Sequence, residues 1–273
     1  MLWLLLLQIW ASCLWLEHSE LVPFFSNCSQ FFYEGYLPND ALKPANPAWI
    51  CQSYNKKYFF VTLYDRNRRI PVYSAYIYEP GNASRPQGSL IEPQLVDKSY
   101  SPDMERQKNF LNQQHVSLKD LKKSQAVLED YQNLIGLTHG HLNPSGHHPT
   151  YNSKLTTFTL TNIVPQDKQL NNGAWSRYEV GTMKKKSKGC NTTYVIVGAV
   201  PGNTNIPGGR VNKPSYIWSS ACCETSKTTR AWAVIAENNQ DQVTLLTLGE
   251  LEARLTKLYG RGQISLFYRD CPR

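Results

Sequence analysis

The chain has 273 residues, enough for one large domain or two small ones, and 41% of them are hydrophobic against 18% charged. That balance can bury a core and excludes an intrinsically disordered chain. A formal net charge of +8 and an isoelectric point near 9.0 suit a polyanionic partner without identifying one.

Residues 1–16 form an apolar run with the small residues Ala11 and Ser12 near its end. It reads as a signal peptide cleaved between residues 12 and 19, although no Lys or Arg precedes it. An uncleaved membrane anchor is the alternative, but the run falls just short of a usual span of about 17–25 residues. Nothing later in the chain is apolar enough to cross a membrane. Beyond Cys13 in the leader stand Cys28, Cys51, Cys190, Cys222, Cys223 and Cys271, an even set that predicts three disulfides and an oxidising compartment. Cys28 and Cys51 are expected to pair, as both lie in the N-terminal segment. The other pairings stay open, except that adjacent Cys222 and Cys223 point to opposite faces of a strand and so take different partners. Sequons at Asn27, Asn82 and Asn191 agree with passage through the secretory pathway.

Residues 58–64 are aromatic and β-branched and predict a strand, and 70–78 a second, with the polar turn 65–69 making them a hairpin. Residues 79–102 hold four prolines and read as loop. Ser117 opens a capping box for a helix to about Tyr131. Residues 157–161 read as a short strand, 170–184 as a helix, and 194–200, 216–221 and 231–236 as strands. In 247–259, Leu248, Leu251, Leu255 and Leu258 mark one face of an amphipathic helix. Strands and helices mix without βαβ alternation, which predicts an α+β fold in a single domain over 20–273.

The chemistry is concentrated in residues 138–179. Thr138-His139-Gly140-His141 comes first, then Thr161-Asn162-Ile163-Val164-Pro165-Gln166, then Leu170-Asn171 with Trp175 and Glu179. An imidazole can take a proton from water near neutral pH, and an amide oxygen is a hard, neutral donor that suits Mg²⁺. In order and spacing these segments resemble the DNA/RNA non-specific endonuclease family, whose pattern is D-R-G-H, S/T-N-x-x-P-Q and L-N-x-x-x-W-x-x-x-E. Within that family they resemble the vertebrate endonuclease domain-containing 1-like group. The likeness extends over about residues 50–270.

The resemblance implies a ββα-metal (His-Me finger) nuclease fold, with a mainly antiparallel central sheet flanked by helices. It implies hydrolysis of DNA and/or RNA without strong sequence specificity, leaving 5′-phosphates, with Mg²⁺ as cofactor and Mn²⁺ able to substitute. His141 matches the general base, Asn171 the direct protein ligand of the metal, and Asn162 a polar residue that holds the site. Glu179 matches an acid acting on metal-bound water; eight residues from Asn171, it would lie about 12 Å along a straight helix. Arg85 matches, more loosely, an arginine that stabilises the phosphorane. Thr138-His139 departs from the family's Asp-Arg, so a cation for phosphate is lost and His139 replaces it only when protonated. The expected protein is therefore a secreted, Mg²⁺-dependent endonuclease of reduced or altered activity, with no stable membrane association once the leader is removed. The alternative is a catalytically weak or inactive extracellular binding protein on the same fold. Two lesser features stand beside this reading: four histidines at 139, 141, 147 and 148 that could bind zinc, and the basic run Lys184–Lys188 that could contact phosphates.

Overall fold

The computed structural model describes residues 21–273. The expected signal segment, its cleavage and Cys13 lie outside the described residues. Among the described residues fourteen strands follow in chain order: β1 (Leu21–Val22), β2 (Pro47–Tyr54), β3 (Lys57–Asp65), β4 (Ile70–Ile77), β5 (Leu90–Ile91), β6 (Glu105–Arg106), β7 (Leu137–His141), β8 (Ile163–Asp167), β9 (Thr192–Val200), β10 (Thr204–Asn205), β11 (Asn212–Lys213), β12 (Tyr216–Glu224), β13 (Thr229–Glu237) and β14 (Thr244–Leu246). Eight of them form one sheet in the order β1-β2-β3-β4-β9-β12-β13-β14, antiparallel at every neighbour. The predicted hairpin is β3–β4, and the three later strands predicted are β9, β12 and β13.

Both faces of this sheet are covered, so its central strands read as unbroken apolar runs rather than alternating ones. In β9, Val195, Val197 and Ala199 pack on one side, while Ile196 and Val200 pack on the other. The back layer consists of the 3-10 segment Phe25–Phe31, the helix Leu248–Tyr259 and the tail around Phe267. Leu248, Leu251 and Leu255 are fully buried there, as the leucine spacing requires. Thr247 caps this helix by accepting from the Glu250 N–H, and Gly260 ends it in the left-handed region. The front layer holds the helices Gln107–Gln113 and Leu118–Ser124, a separate antiparallel ribbon of β7 with β8, and a broken helix over residues 168–186.

Among the described residues three disulfides fasten flanking segments to the sheet strands β2 and β12. Cys28–Cys51 forms as expected, and Cys222 and Cys223 take different partners, Cys271 and Cys190. Cys222 and Cys271 lie in the back core, whereas Cys223 and its partner Cys190 lie in the front one. Among the described residues no helix is long and apolar enough to cross a membrane.

Three local expectations are corrected. The helix that Ser117 caps stops at Ser124, because Gln125 is extended and its carboxamide bonds the backbone N–H and C=O of Glu92. A 3-10 turn, Leu128–Tyr131, follows. Residues 157–161 are not a strand: they leave the helix Tyr151–Thr156 through turns, and the strand is β8, beginning after Asn162. The hydroxyls of Thr156 and Thr157 bond the carbonyls of Ser153 and Lys154, which gives the chain a local alternative to a ladder. Finally, 170–184 is no continuous helix. It breaks at Gly173, resumes over Ala174–Arg177, and widens into a π turn at Tyr178–Thr182. A side chain at Gly173 would strike the Asp241 carboxylate, which itself accepts from the Ala174 N–H and so caps the second piece.

Candidate active site

A cleft of about 760 Å³ opens in the front layer, and Arg85, Thr138, His139, His141, Asn171 and Glu179 all line it. Three elements meet here: the loop after β4, the end of β7 and the broken helix. The ββα arrangement puts His141 at the last position of β7, opposite Ile163, and Asn171 on the helix Lys168–Asn172 that follows β8. Asp167 caps that helix by accepting from the Gln169 and Leu170 N–H groups. Gly140 is required between the two histidines, since a Cβ there would collide with the Gln166 side chain.

The ring nitrogen Nε2 of His141 is buried and has no partner. Burial, reinforced by the Arg85 cation, lowers its pKa to about 3, so the imidazole is neutral at physiological pH. Phe158 organises the centre: His141 meets its ring edge-on at 4.9 Å, and the Arg85 guanidinium lies over it at 5.1 Å. Sequence reasoning missed Phe158, because alternation of Thr, Phe and Leu made it look like a strand residue.

The loop that carries Arg85 is fixed from beneath. Lys154, only 7% exposed, donates through Nζ to the carbonyls of Gly81 (2.9 Å) and Ala83 (2.6 Å). The Glu79 N–H also donates to the His147 carbonyl. Lys154 gave no sequence signal, since a lysine is ordinarily a surface residue.

Glu179 sits on the π turn. Burial pushes its carboxyl up to about 8, against the Trp175 indole N–H, which donates to it at 3.0 Å, and the Arg85 cation. The helix breaks at Gly173 between Asn171 and Glu179, and both residues line one cleft. His147 holds the π turn: its Nε2 donates to the Glu179 carbonyl at 2.9 Å, which leaves Nδ1 to accept from the Tyr76 hydroxyl, also at 2.9 Å. Burial lowers His147 to about 4, in keeping with this neutral tautomer.

Asn162 stands behind the cleft and is fully buried. Its oxygen accepts from the Ser74 hydroxyl and the Asn143 N–H, while its amide donates to the carbonyls of Asn143 and Thr157. It thereby ties the turn after His141 to the turn before Phe158. His148 donates to the Asn143 carboxamide at 2.6 Å. With His147 and His148 engaged in this way, the four nearby histidines do not converge. Among the described residues no three His, Cys, Asp or Glu side chains form a metal-binding group.

The Asn171 carboxamide makes no hydrogen bond to another described residue and lines the cleft with the Glu179 carboxyl. One neutral oxygen donor with room for water suits a hard cation that keeps much of its hydration shell, and does not suit zinc, which wants several nitrogen or sulfur ligands. The residues fit Mg²⁺.

The Thr138-His139 departure also has a structural counterpart. His139 meets Tyr131 edge-on at 4.8 Å, and partial desolvation lowers its pKa, so it is a poor stand-in for arginine. Thr138 pairs across the ribbon with Gln166, whose carboxamide is buried with neither polar atom satisfied. Lys184 reaches the cleft, and Lys185, Lys186 and Lys188 continue from it as an exposed basic strip.

The family model for DNA/RNA non-specific endonucleases matches residues 37–259. The Endonuclease domain-containing 1 protein of Mus musculus is 32% identical over 208 residues, covering 73% of this chain and 39% of that protein. Its Homo sapiens counterpart is 28% identical over 205 residues, with the same coverage of 73% and 39%. The chain thus spans about two fifths of the length of these curated relatives. Among solved structures, EndoG in a crystal structure of the EndoG/EndoGI complex superposes with a TM-score of 0.53 at 16% identity, over 81% of this chain and 86% of that one. That likeness is one of fold. The chain belongs to the DNA/RNA non-specific endonuclease family and has its ββα-metal, α+β architecture.

Proposed function

We propose that this chain is a single secreted domain that hydrolyses phosphodiester bonds of DNA or RNA without strong sequence preference. The observation that carries the reading is the unpartnered, neutral Nε2 of His141 in a cleft shared with Arg85, Asn171 and Glu179. Family membership supports a nuclease activity. Three disulfides support an oxidising compartment, as do the exposed sequons at Asn27, Asn82 and Asn191.

In this mechanism His141 Nε2 takes the proton of a water molecule as the water oxygen attacks phosphorus. The bond between phosphorus and the 3′ oxygen breaks, the 3′ oxygen takes up a proton from solvent water and leaves as a hydroxyl, and the phosphate stays on the 5′ end. Arg85, held over Phe158, offers a fixed cation to the phosphate oxygens as negative charge builds on them. Asn171 would hold Mg²⁺, or Mn²⁺ in its place, and that cation would supply charge stabilisation at phosphate and leaving oxygen. Asn162 acts one layer back, setting the turns that carry His141 and Phe158. Glu179, largely protonated at neutral pH, holds a proton beside the Asn171 position. The basic strip from Lys184 guides the polyanion.

Supercoiled plasmid incubated with the purified full chain, stripped of any N-linked glycan, is the direct test. Nicking in Mg²⁺, its loss in EDTA and its loss in His141→Ala are expected; undiminished nicking in excess EDTA would rule the mechanism out. A second reading has its own support. His139 is a weak cation and the Gln166 amide is unsatisfied, both at the Thr138-His139 departure, and both favour little turnover, as in a catalytically weak or inactive extracellular binding protein on the same fold. Plasmid retardation without nicking, in Mg²⁺ or Mn²⁺, would select it.

A further inference from the structure

We infer that Asn82 carries an N-linked glycan that partly roofs the cleft, so that bulky ligands enter freely only when this sequon is unoccupied. This rests on the secretory and nuclease readings above. Asn27, Asn82 and Asn191 are all exposed acceptors, but of the three only Asn82 lines the cleft. Asn27 lies on the back layer, in the 3-10 segment Phe25–Phe31, and the Asn191 amide is engaged with the Ser226 hydroxyl. The Asn82 carboxamide makes no hydrogen bond to another described residue, so its nitrogen is free to carry a sugar.

The base of such a glycan would not swing aside. The carbonyls on either side of Asn82, those of Gly81 and Ala83, are both held by the Lys154 ammonium. Gly81 packs so closely on the Pro149 backbone that a Cβ would collide with it. Arg85 follows three positions later on the same fixed loop, so the sugar would stand beside the cation that faces phosphate. A branched oligosaccharide is bulky beside a cleft of about 760 Å³. Anchored at the rim, it would exclude a duplex by steric clash while leaving space for small or thin ligands.

Secretion of the full chain from mammalian cells, with Ser84→Ala as comparison, tests this. The substitution removes the sequon and leaves the cleft-lining Asn82 amide in place. Asn82 occupancy is read by peptide mass after glycosidase treatment. Roofing is read without nucleic acid, by placing a thiol on the cleft wall with Ser176→Cys in both backgrounds and timing its reaction with maleimides. N-ethylmaleimide should label both at one rate, whereas a long polyethylene-glycol maleimide should label the glycosylated form about tenfold more slowly. Shielding of this kind in a protein whose Ser84→Ala form also nicks no plasmid would uphold the roof and count only against the nuclease reading. An unoccupied Asn82, or equal labelling of both backgrounds by the bulky reagent, would overturn the inference.

Discussion

The two faces of the eight-stranded sheet are built on opposite principles. Behind it, leucines and aromatics fill the core and two disulfides, Cys28–Cys51 and Cys222–Cys271, fasten it. In front, the apolar cluster is interrupted by buried polar groups: Ser74 and Asn162 bonded together, His147 between Tyr76 and Glu179, and Glu92 beneath Thr159 and Thr161. Several front atoms find no partner, among them His141 Nε2 and both polar atoms of Gln166. Unsatisfied polar groups cost stability, so the front is where stability has been given up for reactive groups.

The sharpest way to break this contrast is to remove the base. His141→Ala should lower turnover roughly 10²–10⁴-fold, as loss of a positioned proton acceptor does, and Asn171→Ala should abolish metal-dependent cleavage. Both should melt close to the parent. A large fall in melting temperature with either would show that the front also carries the fold.

On the back, Leu251→Ala should cost about 2–5 kcal/mol through a cavity in a fully packed core, and Cys271→Ser a similar 2–5 kcal/mol. Urea titration measures both. Activity per folded molecule should be unchanged, and a specific loss of turnover would mean that the layers are coupled.

His147 should blur the division. His147→Ala leaves the Tyr76 hydroxyl and the Glu179 carbonyl without partners in a buried place, for about 1–3 kcal/mol, and loosens the π turn. Lower turnover together with lower stability is expected, and turnover equal to the parent's would make His147 purely a packing residue.

Thr138→Asp places an acceptor across the ribbon from the orphan Gln166 amide. A gain of about 1 kcal/mol is expected, the usual worth of a hydrogen bond made by a group already buried. No change in melting temperature would show that Gln166 finds its partner elsewhere.

The smallest net effect concerns pH. His141, His147 and His148 are lowered to about 3, 4 and 3, so the folded chain excludes protons that the unfolded chain binds below about 6.5. Their contribution is lost as pH falls from there. Glu92 and Glu179 are raised to about 7 and 8, so the folded chain keeps protons that the unfolded chain releases above about 4.5. Their contribution is lost as pH rises through those values. The two sets oppose each other, and melting temperature should show a shallow maximum in mildly acid to neutral solution. His148→Asn should flatten the acid side and Glu92→Gln the alkaline side; a steep profile unaltered by either would refute the assignment.

Much of the back was legible in the sequence, because burial there follows simple periods: Leu248, Leu251 and Leu255 at helical spacing, and the apolar run of β9. The order of His141, Asn162, Asn171 and Glu179 was also legible, since motif spacing survives without knowledge of the backbone between. What could not be read was long-range polar bonding. Nothing local in Gln125 says that its amide will bond Glu92 and stop a helix, nor in Gly173 that Asp241 will approach it. Phe158 and Lys154 were hidden for the same reason: each takes its meaning from Arg85 or its loop, some seventy positions earlier.

The bond between Cys222 and Cys271 has a mechanical consequence. A pull on the C-terminal end is passed at residue 271 straight to β12, and everything between, including β13, β14 and the helix Leu248–Tyr259, drops out of the load path. β12 is gripped along nine positions on each side, by β9 and by β13. Force along its length must shear those ladders at once instead of peeling them bond by bond. With the bridge reduced, the same pull would instead unroll the terminal helix first and at far lower tension. The bridge at residue 271, and not the helix Leu248–Tyr259, thus decides where such a pull is first resisted.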